Sequence, residues 1–145
     1  MMTPAKWTEF VETSSIKPFA WGRADCLLDL ADWLMLVTGR DYGAKWRGTY
    51  SDADQCRALF RRDGGIVNVL RRDMAAAGLV ETTVPKAGDV ALVKAFAVTV
   101  SGRRLAVFPM GAVMAPSGRW RVRAIVGHLF QSYPVIVAWE RPCQP

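Results

Sequence analysis

Residues 25–38, DCLLDLADWLMLVT, limit the possible folds of this chain more than any other stretch. At helical spacing this segment is apolar on almost every side, with Asp29 and Asp32 as its interior polar exceptions. A helix of that kind has no face to offer water and must be covered all round. It is shorter than the roughly 18 residues needed to cross a bilayer, so its cover has to come from the rest of the chain. With 145 residues, 51% of them hydrophobic, one compact domain can supply that cover. Asp25 is suited to cap the start of the helix and Gly39 its end.

The flanking segments divide by texture. Trp7, Phe10 and Val11 in residues 4–12 recur at helical spacing behind Thr3, a cap residue, and Pro4, which is pre-set for the first turn. Pro18 to Gly22 reads as a loop. Ser51 and Asp54 form the pattern of a capping box for a helix through Arg62, which the DGG triplet ends. Residues 65–77 place Ile66, Val69, Leu70, Met74 and Ala77 on one helical face before Gly78. After Pro85 the pattern becomes short β-branched or apolar runs divided by Gly, Pro and Ser, which predicts an antiparallel sheet. The expectation is an α+β fold in a single domain, 1–145, helical over 1–80 and sheet over 86–141, with the Cys-bearing helix buried against the sheet.

Charge and cysteine content narrow the chemistry. Residues 1–93 carry 12 basic and 12 acidic side chains, whereas residues 94–145 carry 7 and 1, so the net charge of +6 lies in the C-terminal third. In RWRVRA, residues 119–124, the three arginines alternate with Trp120, Val122 and Ala124; a strand there would put the guanidinium groups on one open face. No helix-turn-helix, zinc or base-stacking motif accompanies them, so nucleic acid is not the expected partner. Cys26, Cys56 and Cys143 match neither a disulfide framework nor a CxxC metal site, and with one histidine, His128, no metal centre or other cofactor is expected. The chain also lacks the pattern of a signal peptide or a membrane span.

Cys26 holds the most suggestive position. In the first turn of a helix, unpaired backbone N–H groups and the helix dipole favour a thiolate and could form an oxyanion hole. WGRADC, residues 21–26, opens this helix, and AGDVALV, residues 87–93, opens the sheet; TGRD, 38–41, and RGTY, 47–50, lie between them. In that order these motifs resemble the NlpC-like cell-wall peptidases of papain-like fold, and most closely a divergent, phage-associated branch. The resemblance runs from Trp21 to the AWERP segment at 138–142. It implies a nucleophile at Cys26 preceded by Asp25, and a sheet entry at Gly88 and Asp89. The family's histidine has no counterpart, because Phe108, Pro109 and Met110 stand at its place. His128, in VGHLFQS, is the remaining candidate base. Cys56 and Cys143 read as structural or incidental, and Trp21 and Trp139 as core residues.

The resemblance, with its missing histidine, implies a phage or prophage tail-associated protein used as a structural or assembly module. Its expected partners are other tail proteins and peptidoglycan, and its expected location the virion tail, or the bacterial cytoplasm during assembly. The alternative is a cysteine hydrolase, a peptidoglycan endopeptidase or amidase, with Cys26 as nucleophile and His128 as base. A basic nucleic-acid-binding domain is the weaker alternative.

Overall fold

The computed structural model describes residues 2–98 and 104–140, with the side chains of 96–98 and 104–108 left aside. Four helices precede a single sheet, as the change of texture predicts: α1 (Pro4–Ser15), α2 (Cys26–Thr38), α3 (Ala53–Arg62) and α4 (Ile66–Ala76). The strands are β1 (Val80–Thr82), β2 (Val90–Val98), β3 (Arg104–Met114), β4 (Trp120–Ala124), β5 (Gly127–Gln131) and β6 (Val135–Glu140). They form one antiparallel sheet in the order β1-β6-β2-β3-β4-β5. The fold is α+β.

The helix ends follow local chemistry. Thr3 Oγ1 accepts from Lys6 N at 3.2 Å with Pro4 just inside α1, which continues past the expected residue 12 to Ser15. Asp25 caps α2, and Gly39, at φ 78°, ends it in the left-handed region where glycine carries no Cβ penalty. On α3 the cap falls one residue later than the pattern predicts: Asp52, not Ser51, accepts from Gln55 N, and Gln55 Oε1 returns to Ser51 N and Oγ. The reciprocal box survives with a displaced register.

Helix α2 is covered as its composition demands. Leu27, Leu28, Leu30, Trp33, Leu34 and Val37 join Phe10 of α1, Phe60 of α3 and Val69, Leu70 and Met74 of α4 in one core. From the sheet, Val90 and Leu92 of β2, Val113 of β3, and Val137 and Trp139 of β6 enter the same core. The alternate residues, Ala91, Val93 and Ala95 of β2, Ala112 and Met114 of β3, Trp120 and Val122 of β4 and Ala138 of β6, form a second cluster with Tyr133. Both faces of the central strands are therefore apolar and buried. Register shifts interrupt the pairing at Leu92/Val93 and Ala97/Val98, the irregularities that sharpen local twist.

Strand β4 differs from its expected form. Its arginines do not stand on an open face: Arg121 and Arg123 are 1% and 3% exposed and turn toward α1 and α2. Only Arg119, just before the strand, is exposed. The alternation was read correctly and the side of the sheet that receives it was not, because two carboxylate and hydroxyl partners, Asp29 and Ser14, lie far away in sequence. Strand β1, too short to show alternation, was not anticipated; its pairing with β6 through Val80↔Glu140 and Thr82↔Ala138 makes it a strand.

Candidate functional site

The site assembles around the first turn of α2. The buried Asp25 carboxylate accepts four hydrogen bonds: Oδ1 from Leu27 N at 3.1 Å and Leu28 N at 3.0 Å, Oδ2 from Gly22 N at 2.9 Å and Tyr50 Oη at 2.7 Å. Two of these satisfy the opening N–H groups of the helix, and the other two tie the WGRADC loop to the RGTY segment. Gly22 is required there, since a Cβ on it would lie 1.9 Å from the Tyr50 carbonyl oxygen. In TGRD, Asp41 holds Arg47 through two contacts of 2.8 and 3.0 Å, and Arg47 also reaches Asp32 of α2 at 2.7 Å. The Gly88–Asp89 entry is built likewise: Gly88 O accepts the Trp33 indole N–H at 2.8 Å, and Asp89 Oδ2 accepts from Lys86 N at 2.8 Å. Each short motif around Cys26 thus has a structural duty.

Cys26 is half-buried as a residue, and its thiol is desolvated. It packs with Met110 against the second apolar cluster, and the backbone of Gly111 hydrogen-bonds to its sulfur. Strand β3 approaches so closely that a Cβ on Gly111 would stand 2.7 Å from the Cys26 carbonyl oxygen. Desolvation, followed by the adjacent Asp25 carboxylate, pushes the thiol pKa up to about 12. The helix start, which by itself favours a thiolate, is outweighed because its first N–H groups are already spent on a negative charge. Cys56, on α3, neighbours the Asp25 carboxylate and Tyr50 hydroxyl, and burial is the main cause that raises its thiol to about 11. Cys143 lies outside the described residues.

His128 is placed elsewhere. From β5, opposite Arg123 of β4, its Nε2 stands 3.1 Å from Ser14 Oγ at the end of α1. That hydroxyl donates to Asp29 Oδ1 at 2.5 Å and accepts from Arg121 Nη2 at 3.0 Å and Arg123 Nη1 at 2.9 Å. Arg121 Nη1 meets Asp29 Oδ2 at 2.6 Å, with its guanidinium 4.5 Å from the centre of the Phe10 ring. Arg123 also donates to the carbonyl oxygens of Ser14 and Lys17. Serine, imidazole and carboxylate therefore meet, but in the wrong order for a nucleophile: the carboxylate, not the imidazole, accepts the hydrogen bond from the serine hydroxyl, and that hydroxyl is buried. Burial, then the Arg121 charge, lowers the His128 pKa and so disfavours the charged ring.

The two residues expected to form a catalytic pair thus belong to separate environments, Cys26 with Gly111 and the second apolar cluster, His128 with Ser14 and the arginines. The buried Ser14–Asp29–Arg121–Arg123 group was missed in sequence. Its available signal was a lone serine at the end of one helix, an aspartate inside an apolar helix and an arginine alternation in a strand. Among the described residues no group of three His, Cys, Asp or Glu side chains is disposed to hold a metal ion, and no helix is long and apolar enough to cross a membrane.

No curated protein and no solved structure matches this chain. Residues 3–124 match the model of a family described as a domain of unknown function (DUF6950), and the chain belongs to that family. The match takes in all four helices and strands β1 to β4, with both Cys26 and the buried arginine pair.

Proposed function

We propose that this protein is a binding or assembly module of NlpC-like, papain-related fold, associated with phage or prophage tails, whose ancestral cysteine site now serves structure. The observation that carries the reading is the surroundings of Cys26: its sulfur meets the Gly111 backbone and the second apolar cluster, while His128 is held by Ser14. A nucleophilic thiol needs a base within about 3 Å or one water of it. Here the thiol is kept neutral, and the carboxylate beside it is committed to capping α2 and to holding Gly22 and Tyr50. The motifs that carry the family resemblance hold loops and helix ends together, so the likeness supports shared architecture more than shared chemistry. Tail proteins are the partners that the resemblance favours. The inward turn of Arg121 and Arg123 removes the cationic face on which a nucleic-acid reading rested.

The test pairs activity with association. Purified protein is expected to release no new amino termini from peptidoglycan, and Cys26→Ala to leave association with purified tail components unchanged. Hydrolysis that Cys26→Ala abolishes would instead establish the cysteine hydrolase.

A further inference from the structure

Edge strand β5, Gly127–Gln131, is weakly anchored. Among the described residues neither apolar cluster contains one of its side chains, and Leu129 and Phe130 are 37% and 41% exposed. The two-residue turn that joins it to β4, Ile125 and Val126, has none of the positive φ angles by which tight hairpin turns match the twist of their strands. Apart from the ladder to β4, a single side-chain hydrogen bond among the described residues ties β5 to the helices, that between His128 Nε2 and Ser14 Oγ at 3.1 Å.

That bond is conditional on the charge of the ring. A hydroxyl offers one hydrogen and two lone pairs. Ser14 gives its hydrogen to Asp29 of α2 and fills its lone pairs with Arg121 Nη2 and Arg123 Nη1 of β4. A neutral ring with its hydrogen on Nδ1 can still take a share of the Ser14 hydrogen, as a three-centre bond. An imidazolium carries hydrogens on both nitrogens and meets an oxygen with no lone pair left. Charge acts in the same direction: Arg121 and Arg123 outnumber Asp29, so a charged ring would be the third cation around one carboxylate. Lys17, after α1, and Asp32 of α2 pair with each other at 3.6 Å and add no net charge, and β5 carries no other titratable side chain. Burial, then the Arg121 charge, lowers the His128 pKa, with Asp29 opposing and Arg123 assisting.

We propose that His128 is a proton-operated latch on β5: once its ring is charged, the strand opens from the edge of the sheet while the helices and the other five strands stay folded. The direction follows from linkage. In the open strand the ring is solvated and binds its proton at the ordinary value of about 6.5, whereas the closed site resists it, so acid favours opening. Opening costs the ladder between β4 and β5 and little apolar burial, which sets it among local openings of low free energy. It bares the outer edge of β4, the strand that carries Arg121 and Arg123. The latch stands apart from Cys26, so it holds or fails independently of the proposed assembly role.

Amide exchange read by NMR tests the latch, since Leu129 and Gln131 bond across to β4 and report the opening of β5. Their protection factors, which remove the intrinsic pH dependence of exchange, are expected to fall at least about threefold between pH 7 and 5. At pH 5 they are expected to lie at least about tenfold below those of Leu30 and Leu34 in α2, and to stay unchanged in urea concentrations that lower the α2 values, because a local opening exposes little surface. His128 is the one histidine of the chain, so its ring signal is unambiguous, and its titration midpoint is expected below about 6.5. In His128→Gln, which has no ring to charge, the fall with pH is expected to vanish, with near-UV circular dichroism at pH 7 as in the wild type. A smaller fall, a fall that persists in His128→Gln, β5 protection that matches α2 in size and urea response, or a ring midpoint at or above about 6.5 would each overturn the proposal.

Discussion

Asp25 and Cys26 are neighbours in sequence and opponents in chemistry. A helix start can lower a thiol pKa only if its N–H groups are free to face the sulfur, and here Asp25 has taken those of Leu27 and Leu28. Replacing Asp25 with alanine removes a cap and leaves the buried Gly22 N–H and Tyr50 hydroxyl without their acceptor. The expected loss is about 2–4 kcal/mol, measured by urea unfolding. His128 is the second residue whose environment sets a prediction. Burial, then the Arg121 charge, against the opposing pull of Asp29 and with the aid of Arg123, lower the pKa of its ring, so at acid pH the unfolded chain binds the proton that the folded chain resists. Its contribution to stability is complete above about pH 6.5, the ordinary histidine value, and declines as pH falls below it. His128→Gln is expected to flatten that acid limb in thermal melts recorded from pH 7 to 5.

At the scale of elements, the join between α1, α2 and β4 is polar inside and apolar around. Asp29 faces two buried guanidinium groups whose Nε atoms find no hydrogen-bond partner among the described residues. Asp29→Ala therefore strands two positive charges in the core, for an expected cost of about 3–5 kcal/mol in chemical denaturation. A contrasting join is purely steric: α2 rests on β3 at Gly111, and Gly111→Ala must push the strand from the Cys26 carbonyl. That substitution is expected to lower stability by about 1–3 kcal/mol in the same assay. Helices α1 to α4 were legible from caps and period because those signals are local; even the shifted cap of α3 keeps its residues within one turn. The facing of β4 was not legible, since the partners of Arg121 and Arg123 lie more than 90 residues away.

For the whole molecule, the division into helices and then sheet follows from the all-apolar α2 and the change of texture after Pro85, both visible in one dimension. The candidate site was half legible. Sequence located Cys26 at the start of a helix and noted that Phe108, Pro109 and Met110 stand where the peptidases it resembles have an imidazole. It could not reveal that the cysteine sulfur is desolvated under β3, a property of three-dimensional closure. Closure has a measurable signature at high pH. Cys26 titrates near 12 in the folded chain against an ordinary 9.0, and the buried Tyr50 beside Asp25 is raised as well. Unfolding releases both protons more easily, so stability is expected to fall from about pH 9 upward, by as much as about 1.4 kcal/mol per pH unit for each group. Cys26→Ala is expected to reduce that slope in denaturation series between pH 8 and 10.5.

The central claim, that the fold keeps Cys26 as a neutral core thiol, is tested most directly by its own titration. Iodoacetamide labelling of the folded protein, followed residue by residue with peptide mass spectrometry, gives the thiolate fraction at each pH, with Cys56 and Cys143 as internal comparisons. The account predicts slow labelling of Cys26 at neutral pH, still rising without a plateau through pH 10. A plateau reached below about pH 8 would mean an activated thiolate, contradict the structural role, and return this cysteine to the position of a working nucleophile.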